Sequence, residues 1–235
     1  GAAALARGDV ARGAELFLRP DLACAACHQV RGEGGRLGPP LDAIGNFVIG
    51  PQYLPAPERQ ATPGVPVGAL HQFTLDSRDA TLFNPGIARK VFGTVDPINP
   101  NTLIVETHEV DYTRTITVYI PKQLPQGKPV PFMIGHDGPK VGRPDKNTAR
   151  VLDNLIAQKR IPPLVAILIG NGGGDAQGHE RGREYDTLSG LYAEYIETHV
   201  LPVVEKNYGV TLTKNPDGRA TMGNSSGGSA ALIMA

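Results

Sequence analysis

Tryptophan is absent from these 235 residues, and cysteine and methionine are scarce, at 2 and 3. The shortage of cysteine is the informative one. A tetrahedral zinc site needs further Cys or His at ligand spacing, and no third cysteine exists to supply it. Net charge is missing as well, since 23 Lys and Arg balance 23 Asp and Glu. No basic stripe therefore marks a nucleic-acid surface. Long apolar runs are also lacking, so no segment reads as a membrane span. Glycine and proline are plentiful, at 29 and 21, which implies many turns and a loop-rich start. At this length the chain can bury a substantial core in one large domain or two small ones.

The sequence opens on Gly1 without an initiator Met or a signal peptide, and closes on Ala235 inside what reads as a helix. It is expected to be a piece of a longer protein.

The most informative stretch is Arg219-Ala220-Thr221-Met222-Gly223-Asn224-Ser225-Ser226-Gly227-Gly228-Ser229. It holds one G-x-S-x-G frame, Gly223 to Gly227, with Ser225 at its centre. A short extended run precedes the frame, and Ser229–Met234 after it suits a helix. Strand, tight turn and helix are the context of a nucleophile elbow. In such an elbow the residues two before and two after the serine crowd together, so glycine is required at both. The helix N-terminus then points N–H groups at the place where an oxyanion would form. Ser226 does not fit the frame, because glycine would be needed where Asn224 stands.

Both cysteines lie in Cys24-Ala25-Ala26-Cys27-His28. C-x-x-C-H is the attachment pattern of a c-type haem, with two thioether bonds and the adjacent histidine as axial iron ligand. A redox C-x-x-C does not need the histidine, and a disulfide between residues three apart would be strained. Gly8–Phe17 reads as a short amphipathic helix, and Gly34-Gly35-Arg36-Leu37-Gly38-Pro39-Pro40-Leu41 follows the motif. This segment resembles the start of a class I cytochrome c domain. The resemblance implies that Pro39 and Leu41 pack on the proximal haem face, with Cys24, Cys27 and His28 holding haem c. A methionine sixth ligand is missing here, because Met133, Met222 and Met234 all fall later. Residues 1–46 therefore read as an attachment site without a complete pocket, and 47–67 as a Pro- and Gly-rich linker.

From Gly68 the texture changes. Gln72–Leu75 and Leu103–Glu106 read as early strands. Thr115–Ile120 alternates with period two and stops at Pro121, as an antiparallel strand near a sheet edge would. Val130–Gly135 and Leu164–Gly170 are continuous apolar runs suited to strands buried on both faces. Helices are expected over 145–160, capped by Asp145, and over about 187–208, where Pro202 starts the second half or kinks it. Alternating strands and helices predict a doubly wound, mostly parallel α/β sheet over 68–235.

Six motifs in order along this part carry a further resemblance. They are Thr117–Pro121, Gly135-His136-Asp137-Gly138-Pro139, Ile169–Gly172, Arg181-Gly182-Arg183-Glu184-Tyr185, Leu201–Glu205 and Arg219–Gly228. Together they resemble the N-terminal two-thirds of enterochelin-esterase-like serine hydrolases, α/β hydrolases of the esterase D type. The resemblance implies Ser225 as nucleophile and the Ser226 N–H as one oxyanion donor. A second donor is expected from Asp137-Gly138, which otherwise reads as a tight turn. Arg181 and Glu184 match an R-x-x-E element beside the cleft, with substrate contact or an anchoring salt bridge as their two readings. The expected substrate is a siderophore, acetyl or feruloyl ester, and the esterase part needs no cofactor.

Gly170–Asp175 fails the spacing of a dinucleotide-binding loop and lacks the Lys-Ser or Lys-Thr of a P-loop. His71, His108, His179 and His199 read as surface or packing residues. The triad of this fold runs Ser, acid, His along the chain. His136 lies before the elbow and is not expected to act as the base, so an Asp or Glu and a His are expected beyond Ala235. A c-type haem electron-transfer protein with a non-catalytic hydrolase shell, served by a redox partner, is the alternative. Haem attachment implies a bacterial periplasmic or secreted location.

Overall fold

A computed structural model describes residues 56–91, 93–100, 102–138, 146–174 and 178–235, with the backbone of 29–30 and 33–34. The chain divides into two compact units, one of residues 1–55 and 89–106, the other of 56–88 and 107–235. In the first, Gln29–Val30 pairs antiparallel with Glu33–Gly34, and Thr94–Val95 with Leu103–Ile104. The run at 103–106 is thus no part of the main sheet.

The second unit is built on five strands: β1 (Ala69–Asp76), β2 (Thr113–Ile120), β3 (Phe132–His136), β4 (Val165–Ile169) and β5 (Arg219–Met222). Their order is β5-β3-β4-β2-β1. The sheet is mixed. β4 and β5 run parallel to β3, whereas β2 pairs antiparallel with β4 and β1. β2 thus lies one strand in from the edge strand β1 and is antiparallel to both neighbours, in line with the antiparallel strand near a sheet edge expected from Pro121. Pro121 falls just after its last residue, where a missing N–H removes no ladder bond.

Period two sorts each strand between two cores. On one face Ile116 and Val118 of β2, Val165, Ile167 and Ile169 of β4, and Phe132 and Ile134 of β3 join one cluster. On the other, Tyr119 and Ala166 meet Ala149, Leu152 and Ile156 of helix α1 (Lys146–Ala157). Asp145, the expected cap of α1, lies outside the described residues. Lys159, in a left-handed conformation at φ 57°, stands just past its end. Residues 56–68, taken from composition as linker and its end, lie along α1. Asn154 donates to the Glu58 and Gln60 carbonyls at 2.8 and 2.9 Å, and the Gly68 N–H donates to Asp153 at 2.8 Å.

The first face is covered by α2 (Glu180–Tyr185), α3 (Leu191–Tyr195), α4 (Leu201–Tyr208) and α5 (Ser226–Met234). Between α3 and α4, Ile196–Val200 winds as a π-helix, closed by the Leu201 N–H on the Ile196 carbonyl. Pro202 explains it. Its ring would collide with the carbonyl four residues earlier, and it has no N–H to offer that carbonyl. The wider turn relieves both problems and lets the helical run continue. α4 ends at Gly209, in the left-handed region at φ 61°. Among the described residues no helix is long and apolar enough to cross a membrane.

Candidate active site

Ser225 sits at the junction of β5 and α5 with φ 53° and ψ −130°. An L-residue adopts that region only when its surroundings impose it, at a cost of about 1–3 kcal/mol. The surroundings are two glycines. A Cβ on Gly223 would lie 2.1 Å from the Gly227 carbonyl oxygen, and one on Gly227 would lie 3.0 Å from Asp137 Oδ2. The strand can turn directly into the helix only where both side chains are missing. The Ser225 carbonyl accepts from the N–H groups of Gly228 and Ser229, so α5 begins at once. Ser225 itself is exposed, and its hydroxyl makes no capping bond. Ser226 is the first residue of α5, so its N–H has no acceptor within the helix.

Asp137 follows the end of β3, also left-handed at φ 60°. Its carboxylate accepts from Arg181 Nε and Nη2 at 2.7 and 2.8 Å and from Asn171 Nδ2 at 2.9 Å. Burial pushes this carboxyl up, but the bonds from Arg181 and Asn171 outweigh burial and hold it below its usual value. The Asp137 N–H donates to the Tyr185 hydroxyl at 3.1 Å. The Gly138 N–H donates to the Ile169 carbonyl at 2.8 Å, and a Cβ on Gly138 would strike the Gly170 nitrogen at 2.6 Å. Gly138 therefore binds its loop to the end of β4, and its N–H is not available to an oxyanion. Pro139 has none to give.

Arg181 and Glu184, adjacent in the motif, part company in space. Arg181 faces Asp137. Glu184 is enclosed and holds Arg114 through Oε1–Nη2 and Oε2–Nη1 contacts of 2.5 and 3.2 Å, with the Gly172 N–H at 3.3 Å from Oε2. No face of Glu184 is left for a substrate, so its role is the anchoring one. Burial lifts its carboxyl against the pull of Arg114. Burial also opposes the Arg114 charge, but Glu184 outweighs it and the guanidinium stays ionised. Arg114 further reaches the Tyr112 hydroxyl at 2.9 Å and lies over the Tyr195 ring at 4.6 Å.

His136 shares a 3.0 Å hydrogen bond between Nε2 and the Thr221 hydroxyl, and burial depresses it to about 4. It is a neutral packing residue beneath the elbow. His199 Nε2 accepts from the Thr81 N–H at 3.2 Å, and its ring stacks on Tyr195. Asn171, Tyr185 and Arg114 were not singled out from the sequence. Asn171 stands in the glycine-rich loop after β4 and Tyr185 next to the R-x-x-E pair. Cys24, Cys27, His28 and Pro39 lie outside the described residues.

Comparisons with known proteins match two separate parts of the chain. Cytochrome c matches residues 10–56. Among solved structures, enterochelin esterase from Shigella flexneri is 19% identical over 52% of this chain and 28% of its own, with a TM-score of 0.41. A ferulic acid esterase is 19% identical over 71% of this chain and 52% of its own, at 0.45. The feruloyl esterase module from Clostridium thermocellum, an S954A mutant complexed with sinapinate, is 20% identical over 75% of this chain and 52% of its own, at 0.42. The chain thus spans about half or less of the length of these structures. No curated protein matches. The family described as "Putative esterase" matches residues 107–235, more than half of the chain and all of the elbow, and the chain belongs to that family.

Proposed function

We propose that this chain carries the nucleophile and oxyanion site of a serine carboxylic-ester hydrolase. The observation that carries the reading is the strained, exposed Ser225 between β5 and α5. Ser225 Oγ bonds to the ester carbonyl carbon and its proton passes to a histidine base. The alcohol leaves with that proton, and water then cleaves the acyl-enzyme. The Ser226 N–H is one oxyanion donor. The Asp137 N–H is the second, exchanging the Tyr185 hydroxyl for the developing charge. The histidine and its orienting acid are assigned to residues following Ala235, in the chain order of this fold. Substrates in view are siderophore, acetyl and feruloyl esters. In the full-length protein, turnover of an aryl or feruloyl ester abolished by Ser225→Ala supports the reading. Turnover that survives the substitution refutes it.

A second reading concerns residues 1–56 and rests on C-x-x-C-H within the cytochrome c match. Cys24 and Cys27 would attach haem c and His28 would ligate its iron, with Pro39 against the ring. A haem held there would supply one-electron chemistry to a redox partner, and its covalent attachment would call for a periplasmic or secreted location. Covalent haem staining lost on Cys24→Ala, Cys27→Ala tests it.

A further inference from the structure

Asp137 poses an electrostatic problem for an esterase. Its Oδ2 lies 3.0 Å from where a Cβ of Gly227 would be, against the first turn of α5. That helix terminus is the positive end on which an oxyanion would settle. A bare carboxylate there would compete for the terminus and repel the charge that develops during acyl transfer.

The surrounding residues answer it. Arg181 grips both oxygens of Asp137 in a fork, and Asn171 holds Oδ1 from the neighbouring loop. The fork lies little exposed, with side-chain accessibilities of 12% for Arg181 and 30% for Asp137, so water screens it weakly. A guanidinium matches a carboxylate in both charge and shape, which a single hydrogen-bond donor cannot do.

We infer that Arg181 is a positioning residue that neutralises Asp137 beside the elbow, so that the Asp137 backbone stays in place while its charge leaves the oxyanion undisturbed. The inference rests on the esterase reading and differs from substrate contact by Arg181.

The test is a charge cycle in the full-length protein. Arg181→Gln leaves Asp137 uncompensated and lowers kcat about tenfold or more, with KM nearly unchanged. Adding Asp137→Asn removes the offending charge, tolerates the left-handed backbone and recovers most of the lost kcat. A rise in KM alone, or a double variant no better than Arg181→Gln, overturns the inference. Stability in denaturant reads the same compensation without turnover. Arg181→Gln should lose stability at pH 8 and regain it as acid protonates Asp137, and the double variant should show no such recovery. A loss independent of pH overturns the inference, whereas absence of ester turnover in the unmutated protein overturns only the esterase reading.

Discussion

Gly223 and Gly227 meet so closely that the Cβ missing from the first would sit 2.1 Å from the carbonyl of the second. The contact is backbone to backbone and has no flexible side chain to give way. Gly223→Ala should therefore cost about 3 kcal/mol or more, seen as a lowered denaturation midpoint. Ser225→Gly should act oppositely, relieving a φ of 53° and raising stability by about 1 kcal/mol after glycine's entropy is counted. Urea melts of Ser225→Gly and Ser225→Ala check this, and equal stability of the two would contradict it.

Arg114 and Glu184 form an enclosed ion pair, with side-chain accessibilities of 1% and 0%. Removing one partner strands the other. Glu184→Leu or Arg114→Met should each cost about 3–5 kcal/mol, and the apolar double replacement Arg114→Met, Glu184→Leu should cost less than either single change. Guanidinium denaturation of the four proteins reads the cycle.

Glu180 is 1% exposed, accepts from the Ile87 N–H at 2.9 Å through Oε2, and leaves Oε1 without a hydrogen-bond partner among the described residues. Burial raises it from 4.5 to about 7. The folded form thus holds a proton that the unfolded chain releases between those values. Its contribution to stability is full below pH 4.5 and is lost as pH rises to about 7. Glu180→Gln should flatten that slope and make the protein more stable than the unmutated one at pH 8. Melting temperatures across pH 4–8 decide.

His136 gives the opposite slope. Burial depresses it from 6.5 to about 4, so its stabilisation is present above pH 6.5 and is lost as pH falls through about 4. Its ring proton resonances should stay unshifted between pH 8 and 5. Titration near 6.5 would show the ring to be open to water.

The elbow was legible because its chemistry demands a local pattern: two glycines and a serine between strand and helix. Four of the five strands were legible as strand-like runs and the fifth as the short extended run before the elbow, whereas the run at 103–106 forms a strand in a separate two-stranded pair. What the sequence concealed was pairing at a distance. Arg114 lies in phase with Ile116 and Val118, on the face that becomes core. Its alternation pointed inward, but a lone charge gives no hint that its partner is Glu184 on a helix much later in the chain. Asp137, Asn171 and Arg181 meet because β3 and β4 are neighbours and α2 packs over their ends. Only the sheet order brings them together. The helix α2 itself, six residues long, offered too short a period to read.

The widened turn before Pro202 has a consequence for the buried guanidinium of β2. Rewinding Ile196–Val200 as regular α-helix with the same residues would turn everything upstream by about 100°, the angle of one α-helical residue. Tyr195 would swing off Arg114, whose charge it now faces at 4.6 Å. Regular winding would thus leave the Arg114 charge without its aromatic cover. The wide turn acts as a gear that takes up the odd residue and keeps the aromatic half and the proline half of one rod addressed to the same strands.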